Sequence, residues 1–132
     1  MTVGWTHGDF AAGNILLAED FTTVTGVIDW STACSEGPVD IDTYTLVLTL
    51  QYELSGQTMG RVIADIVRSE RLPPAQRRLL GGVGSADPDA ALLPLLTWLW
   101  HVANNASKSP RYGRSVRWVA GNIVPVLEAV SL

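Results

Sequence analysis

The stretch His7–Gly8–Asp9–Phe10–Ala11–Ala12–Gly13–Asn14–Ile15–Leu16 runs from a polar loop into a short apolar segment, Ile15–Leu16–Leu17. A second apolar segment, Val24 to Ile28, is rich in β-branched residues and leads into Asp29–Trp30. The polar connection Ala18 to Thr23 is short, so the two segments are expected to pair as an antiparallel hairpin. Asp9 and Asn14 then share the loop that feeds the first strand, and Asp29 ends the second. Pairing returns Asp29 to the same end as Asn14, with Asp9 beside them.

Downstream of Pro38 the pattern turns helical. Ile41, Tyr44, Leu48 and Tyr52 mark one stripe of a helix over Ile41 to Leu54, widened by Leu46, Val47 and Leu50. Asp40 or Asp42 is expected to cap its start, and Ser55–Gly56 to stop it. Met59, Val62, Ile63, Ile66 and Val67 share one face of a second helix over Thr58 to Glu70. Pro73–Pro74 opens a short basic helix that ends at Gly81–Gly82, followed by a loop over Gly81 to Asp87. Pro88 to Asn105 is the longest helix expected. Lys108 to Gly113 reads as a polar turn, and Val116 to Val130 as a last helix bent at Pro125.

Two acids and a carboxamide at one end of a hairpin suit a hard cation. Mg²⁺ prefers oxygen ligands, keeps several waters, and takes one or two carboxylates together with phosphate oxygens. A further carboxylate left off the metal is free to orient or deprotonate a hydroxyl. Loop, strand, turn, strand and acid are thus the layout of a phosphoryl-transfer site.

On these residues the chain resembles the aminoglycoside phosphotransferase and choline kinase family, a relative of the protein kinases. His7 to Leu16 is similar to that family's catalytic loop, and Gly26–Val27–Ile28–Asp29–Trp30 to its metal-binding motif. Gly37–Pro38 with Asp40 and Asp42 resembles the stretch that opens the next helix. The motifs span His7 to Asp42, about a third of the chain, in the family's order and spacing. The resemblance implies an α+β, mostly α fold: a protein-kinase-like C-terminal lobe with a small catalytic β-hairpin followed by a helical bundle. It implies one domain over 1–132, with the catalytic loop and metal-binding hairpin in 1–36 and a helical subdomain in 37–132.

The resemblance also implies roles. Asp9 is the catalytic carboxylate, and His7 belongs to the catalytic set by positioning the loop. Asn14 and Asp29 hold Mg²⁺ and, through it, the phosphates of ATP or another nucleoside triphosphate. Asp42, or Asp40 close behind it, supports the catalytic loop. The acceptor is a hydroxyl on a small molecule, and the acidic balance of the chain suits a cationic one. Only six residues precede His7, and the sole lysine, Lys108, lies far downstream. The nucleotide-binding N-terminal lobe of the family is therefore expected to be absent from this chain. It would come from a partner chain or a missing segment, and the chain alone would be inactive or feeble. The rival expectation is a truncated pseudokinase-like binding or scaffold module without catalysis. Trp5, Phe10 and the strand around Leu17 would face the lobe that is missing, so a homodimer or a tight complex is expected.

Composition narrows the alternatives. With 47% hydrophobic and 17% charged residues, the 132-residue chain excludes disorder and a disulfide scaffold. Its lone cysteine, Cys34, reads as a loop thiol. Nine basic residues against thirteen acidic ones give a net charge of −4, which argues against a nucleic-acid binder. The most apolar stretch, Ala90 to Ala103, is too short for a membrane span, and no basic leader opens the sequence. A cytoplasmic protein is the expectation. His101 reads as a core or edge histidine, and Trp98, Trp100 and Trp118 as mostly core. Gly81, Gly82 and Gly84 read as a plain loop rather than a phosphate loop. Arg68, Arg71, Arg77 and Arg78 read as a solvated face.

Overall fold

Four short strands open the chain in the computed structural model, which describes residues 2–69, 71–80 and 91–131. Strand β1 is Val3–Thr6, β2 Ile15–Leu17, β3 Val24–Val27 and β4 Cys34–Pro38. The expected hairpin forms: β2 pairs antiparallel with β3, with Ile15 opposite Val27 and Leu16 opposite Gly26. Its turn is closed by the Ala18 amide, which donates to the Thr23 carbonyl at 2.9 Å. Asp20 accepts the Thr22 amide at 3.0 Å, an Asx-type contact that favours the turn.

A second two-stranded sheet was not foreshadowed by the pattern. β1 pairs antiparallel with β4, with Val3 opposite Pro38 and Thr6 opposite Cys34. Cys34 thus lies in a strand and not in a loop. The sheet brackets the His7–Asn14 loop and the hairpin, so residues 7–33 leave and return at one place.

Seven helices follow among the described residues: α1 Asp40–Ser55, α2 Met59–Ser69, α3 Pro74–Leu79, α4 Leu92–Lys108, α5 Pro110–Arg114, α6 Val116–Asn122 and α7 Val124–Val130. Gly56, at φ 68°, ends α1 in the left-handed conformation that glycine adopts without strain. The cap expected from Asp40 or Asp42 does not form. Val39 occupies that position with no side-chain hydrogen bond, because the Asp42 carboxylate is turned toward the loop after β1. Lys108 to Gly113 is not a turn: α4 runs through Lys108, and α5 starts at Pro110, whose fixed φ suits a first helical turn. The last expected helix is two, α6 and α7, broken at Ile123 with Pro125 in the first turn of α7. The loop expected over Gly81 to Asp87, with Gly81, Gly82 and Gly84, and the start of the helix expected from Pro88 lie outside the described residues.

The core forms where α1, α2 and α7 meet. Tyr44, Val47 and Leu48 pack on Met59, Val62, Ile63 and Ile66, with Val126 closing the far side. Leu48 and Ile63 are fully buried. α2 comes so close to the end of α6 that a Cβ at Gly60 would run into the Asn122 backbone. Trp98 sits at the core's edge and donates to the Asn122 carbonyl at 2.6 Å. Trp100 and Trp118 are only half-buried, short of the core placement expected of them. Arg68, Arg71, Arg77 and Arg78 are exposed, as a solvated face requires. No helix among the described residues is long and apolar enough to cross a membrane.

Candidate active site

The loop after β1 has backbone groups that no strand ladder satisfies, and side chains from elsewhere take them up. The amides of His7 and Gly8 donate to the two oxygens of Asp42, at 2.6 and 2.9 Å. One carboxylate accepting two backbone N–H groups is a strong, charge-assisted arrangement. Both bonds go to Asp42; Asp40, two residues earlier on α1, accepts neither. From the other side, the Gly8 carbonyl accepts the Trp100 indole N–H and the Asn104 carboxamide, each at 2.8 Å. Gly8 adopts φ 78°, and a Cβ there would meet the Thr32 carbonyl oxygen at 2.5 Å. Both the left-handed backbone and the close approach require glycine.

His7 is 2% exposed and stands behind the loop. Its Nε2 lies 2.8 Å from the Ile28 carbonyl, and its Nδ1 accepts the Asp9 amide at 3.3 Å. That network assigns the proton to Nε2. The ring packs against Trp30 and Phe10, with centroids 4.5 and 5.7 Å away. Both ring nitrogens are occupied by the backbone, so His7 joins the loop to the hairpin end and presents no free nitrogen to a substrate.

Asp9 and Asn14 share the next turn. The Asn14 carboxamide donates to the Asp9 carbonyl at 2.8 Å, which leaves its Oδ1 open. The Asn14 carbonyl accepts the Ile28 amide at 2.9 Å, extending the hairpin by one step beyond the Ile15–Val27 pair. Asn14 and Asp29 therefore sit together at the hairpin's open end. Asp29 is exposed and left-handed, at φ 59°, where the chain turns out of β3. The Ser31 hydroxyl donates to its carboxylate at 2.7 Å. That bond, and then the nearby Lys108 charge, hold the Asp29 carboxyl below its ordinary range, so it is ionised at neutral pH.

Sequence reasoning missed three residues of this site. Lys108 Nζ lies 2.6 Å from Asp9 Oδ2, and this contact raises the pKa of the ammonium. Trp100 and Asn104 hold the Gly8 carbonyl. The signal was present: Trp100, Asn104 and Lys108 recur every four residues, so one face of α4 carries three N–H donors toward the loop. His101 lies beside them, half-buried, and burial pulls its pKa down. It lines a cavity of about 180 Å³ with Asp9, Thr45, Tyr52 and Lys108.

The donor set at the hairpin end fits a magnesium–nucleotide. Among the described residues no group of three or more His, Cys, Asp or Glu side chains is placed to hold a metal ion. A cation there would draw on one carboxylate, Asp29, one carboxamide oxygen, Asn14 Oδ1, and oxygens from phosphate and water, the mixture Mg²⁺ ordinarily takes.

Residues 1–53 match the family model of the phosphotransferase enzyme family. The match covers both strand pairs, the loop with Asp9, the Asn14–Asp29 end and most of α1, and it supports the resemblance read from the motifs. No curated protein and no solved structure matches the chain.

Proposed function

We propose that this phosphotransferase-like chain carries the catalytic half of an enzyme that moves the γ-phosphoryl group of ATP to a hydroxyl of a small molecule. One observation carries the proposal. Asp42, His7, Trp100 and Asn104 all act to fix one loop, and that loop ties the Asp9 main chain to Asn14 at the end of the hairpin while the Asp9 carboxylate meets only Lys108. Several partly buried hydrogen bonds fix the loop of a carboxylate that makes no structural bond of its own beyond the Lys108 pair. That supports reading Asp9 as a positioned reactive group.

In this reading Asp9 orients the acceptor hydroxyl and takes its proton as the new oxygen–phosphorus bond forms and the bond to the leaving phosphate breaks. Asn14 Oδ1 and Asp29 would hold Mg²⁺ together with phosphate oxygens of the nucleotide. When bound, the ion neutralises charge on the phosphate oxygens. Lys108 holds the Asp9 carboxylate in place until an acceptor enters. His7 and Asp42 position the loop and touch no reactant.

The hairpin supplies one wall of a nucleotide cleft. Trp5, Leu17 and Val24 are exposed on the two sheets, and Phe21 on the β2–β3 turn. A second lobe, from another chain or another segment, would cover that surface and supply the remaining phosphate contacts. The same exposure favours the rival reading, a non-catalytic binding module. A phosphoryl-transfer assay with Mg-ATP and a panel of hydroxyl acceptors separates them. The expected result is transfer that is slow in the chain alone, well under the roughly 1–100 s⁻¹ of typical kinases, and lost in Asp9→Asn. Transfer that survives Asp9→Asn, or none under any pairing of acceptor and partner, overturns the proposal.

A further inference from the structure

Two cavities adjoin at the Asp9 loop. The first, about 180 Å³, opens on Asp9 and Lys108, and the second, about 290 Å³, extends toward Tyr112 and Trp118. They share the side chains of Tyr52, His101 and Asn105. Together they reach the lower range of small-molecule pockets, about 300–1,000 Å³. Beyond the second, a third cavity of about 410 Å³ includes Arg61 and Arg117 in its lining.

We infer that this groove accepts an uncharged hydroxyl compound, a sugar or polyol, and discriminates against amines. The inference rests on the reading of Asp9 as the group that meets the acceptor. Its ground is the charge inventory of the walls. Among the described residues, Asp9 is the only carboxylate lining the three cavities, and its Oδ2 is already paired with Lys108. An ammonium or a polyamine would find no second carboxylate in the lining, and it would enter beside an existing cation. A charge brought into a partly closed site without a partner costs far more than one left in water. The net −4 charge of the chain suggested a cationic acceptor, but apart from Asp9 the acids among the described residues lie outside the lining of these cavities.

What lines the groove instead suits hydroxyl groups. Tyr52 stays protonated, because burial and the neighbouring carboxylates raise its pKa. His101 is neutral at pH 7, because burial lowers its pKa by more than the Asp9 charge raises it, with Lys108 adding to the lowering. Its Nε2 accepts from Asn105 at 3.2 Å, which leaves the Nδ1 hydrogen as a donor. Trp118 and Tyr112 pack on each other with centroids 5.4 Å apart, forming an aromatic wall against which the C–H face of a sugar can lie. Aromatic rings also attract quaternary ammonium ions, so choline is the sharpest rival probe.

The test is binding to the full chain without nucleotide, by calorimetry, at pH 7 and fixed salt. Methyl β-glucoside, choline and kanamycin are the probes. The expected result is saturable binding of the glucoside at least tenfold tighter than choline or kanamycin. Trp118→Leu should weaken it at least fivefold, while Trp5→Leu, on β1, leaves it unchanged. Lys108→Glu, at an exposed position, tests the charge argument without touching the aromatic wall and should raise choline affinity at least fivefold. Tighter binding of either cation to the unaltered chain, no saturable glucoside binding, or no gain for choline in Lys108→Glu overturns the inference. Glucoside binding without any phosphoryl transfer would instead remove the phosphotransfer reading and leave the groove's selectivity standing. Transfer to kanamycin would do the reverse.

Discussion

Asp42→Ala removes the acceptor of two backbone amides at once. Hydrogen bonds to charged groups contribute about 1.5–3 kcal/mol each, and a buried amide left unpaired costs about 1–3 kcal/mol. His7 is buried and Gly8 lies beneath Trp100, so water reaches neither amide readily. Partial relaxation of the loop reduces the total, and a loss of about 2–4 kcal/mol is expected. Asp42→Asn keeps one oxygen acceptor and should lose about half of that. Asp40→Ala is the control. It removes a first-turn acid with a similar effect on the helix dipole, about 0.3–1 kcal/mol, and no bond to the loop. Urea unfolding followed by tryptophan fluorescence gives the three stabilities, and hydrogen exchange of the His7 and Gly8 amides reports the loop itself. The amides should exchange slowly in the unaltered chain and Asp40→Ala, and fast in Asp42→Ala. Equal stabilities for Asp42→Ala and Asp40→Ala, within about 0.5 kcal/mol, with both amides still protected, would refute the clamp.

Three further outcomes are expected. His101 has its pKa lowered by burial, so between its folded value and the unfolded 6.5 the unfolded chain binds more protons. Its contribution to stability is therefore full above pH 6.5 and declines as the pH falls below it; His101→Gln should flatten that part of the stability–pH curve, and an unchanged slope would count against a buried neutral imidazole. Leu48→Ala, at a fully buried position between α1 and α2, should cost about 2–5 kcal/mol in chemical unfolding; a loss under about 1 kcal/mol would mean the core is placed wrongly. The exposed Trp5, Leu17 and Phe21 should drive self-association, seen by sedimentation as a dimer that dissociates on dilution, with Trp5 quenched less by acrylamide in the dimer. A monomer at every concentration would assign that surface another role.

What the sequence disclosed divides along contact range. The β2–β3 hairpin was legible because its strands are β-branched runs joined by a short turn, and its register follows from that turn. α1 and α2 were legible from their buried faces and from Gly56. The β1–β4 pair was not, because Cys34–Pro38 holds a glycine, a glutamate and a proline and shows no alternation, so only its distant partner makes it a strand. The candidate site divides in the same way. Asp9, Asn14 and Asp29 lie within one local motif, and the hairpin alone brings the last two together. Lys108 reaches Asp9 across 99 residues, and only the packing of α4 against α1 and the loop sets that distance. The choice between Asp40 and Asp42 also turned on geometry: two residues along a helix differ by about 200° in direction, and only one of them faces the loop.

The most direct test of the central claim is a Mg²⁺ titration of the full chain followed by NMR of the Asn14 side-chain carboxamide and the Asp29 amide. The account predicts that both signals shift together along one weak binding curve, and that Asp29→Ala abolishes the response at Asn14. Asp9→Ala should leave the curve in place, since Asp9 is assigned to the acceptor and not to the metal. A response at Asn14 that survives Asp29→Ala, or no response at either residue, would contradict a shared metal site at the hairpin end.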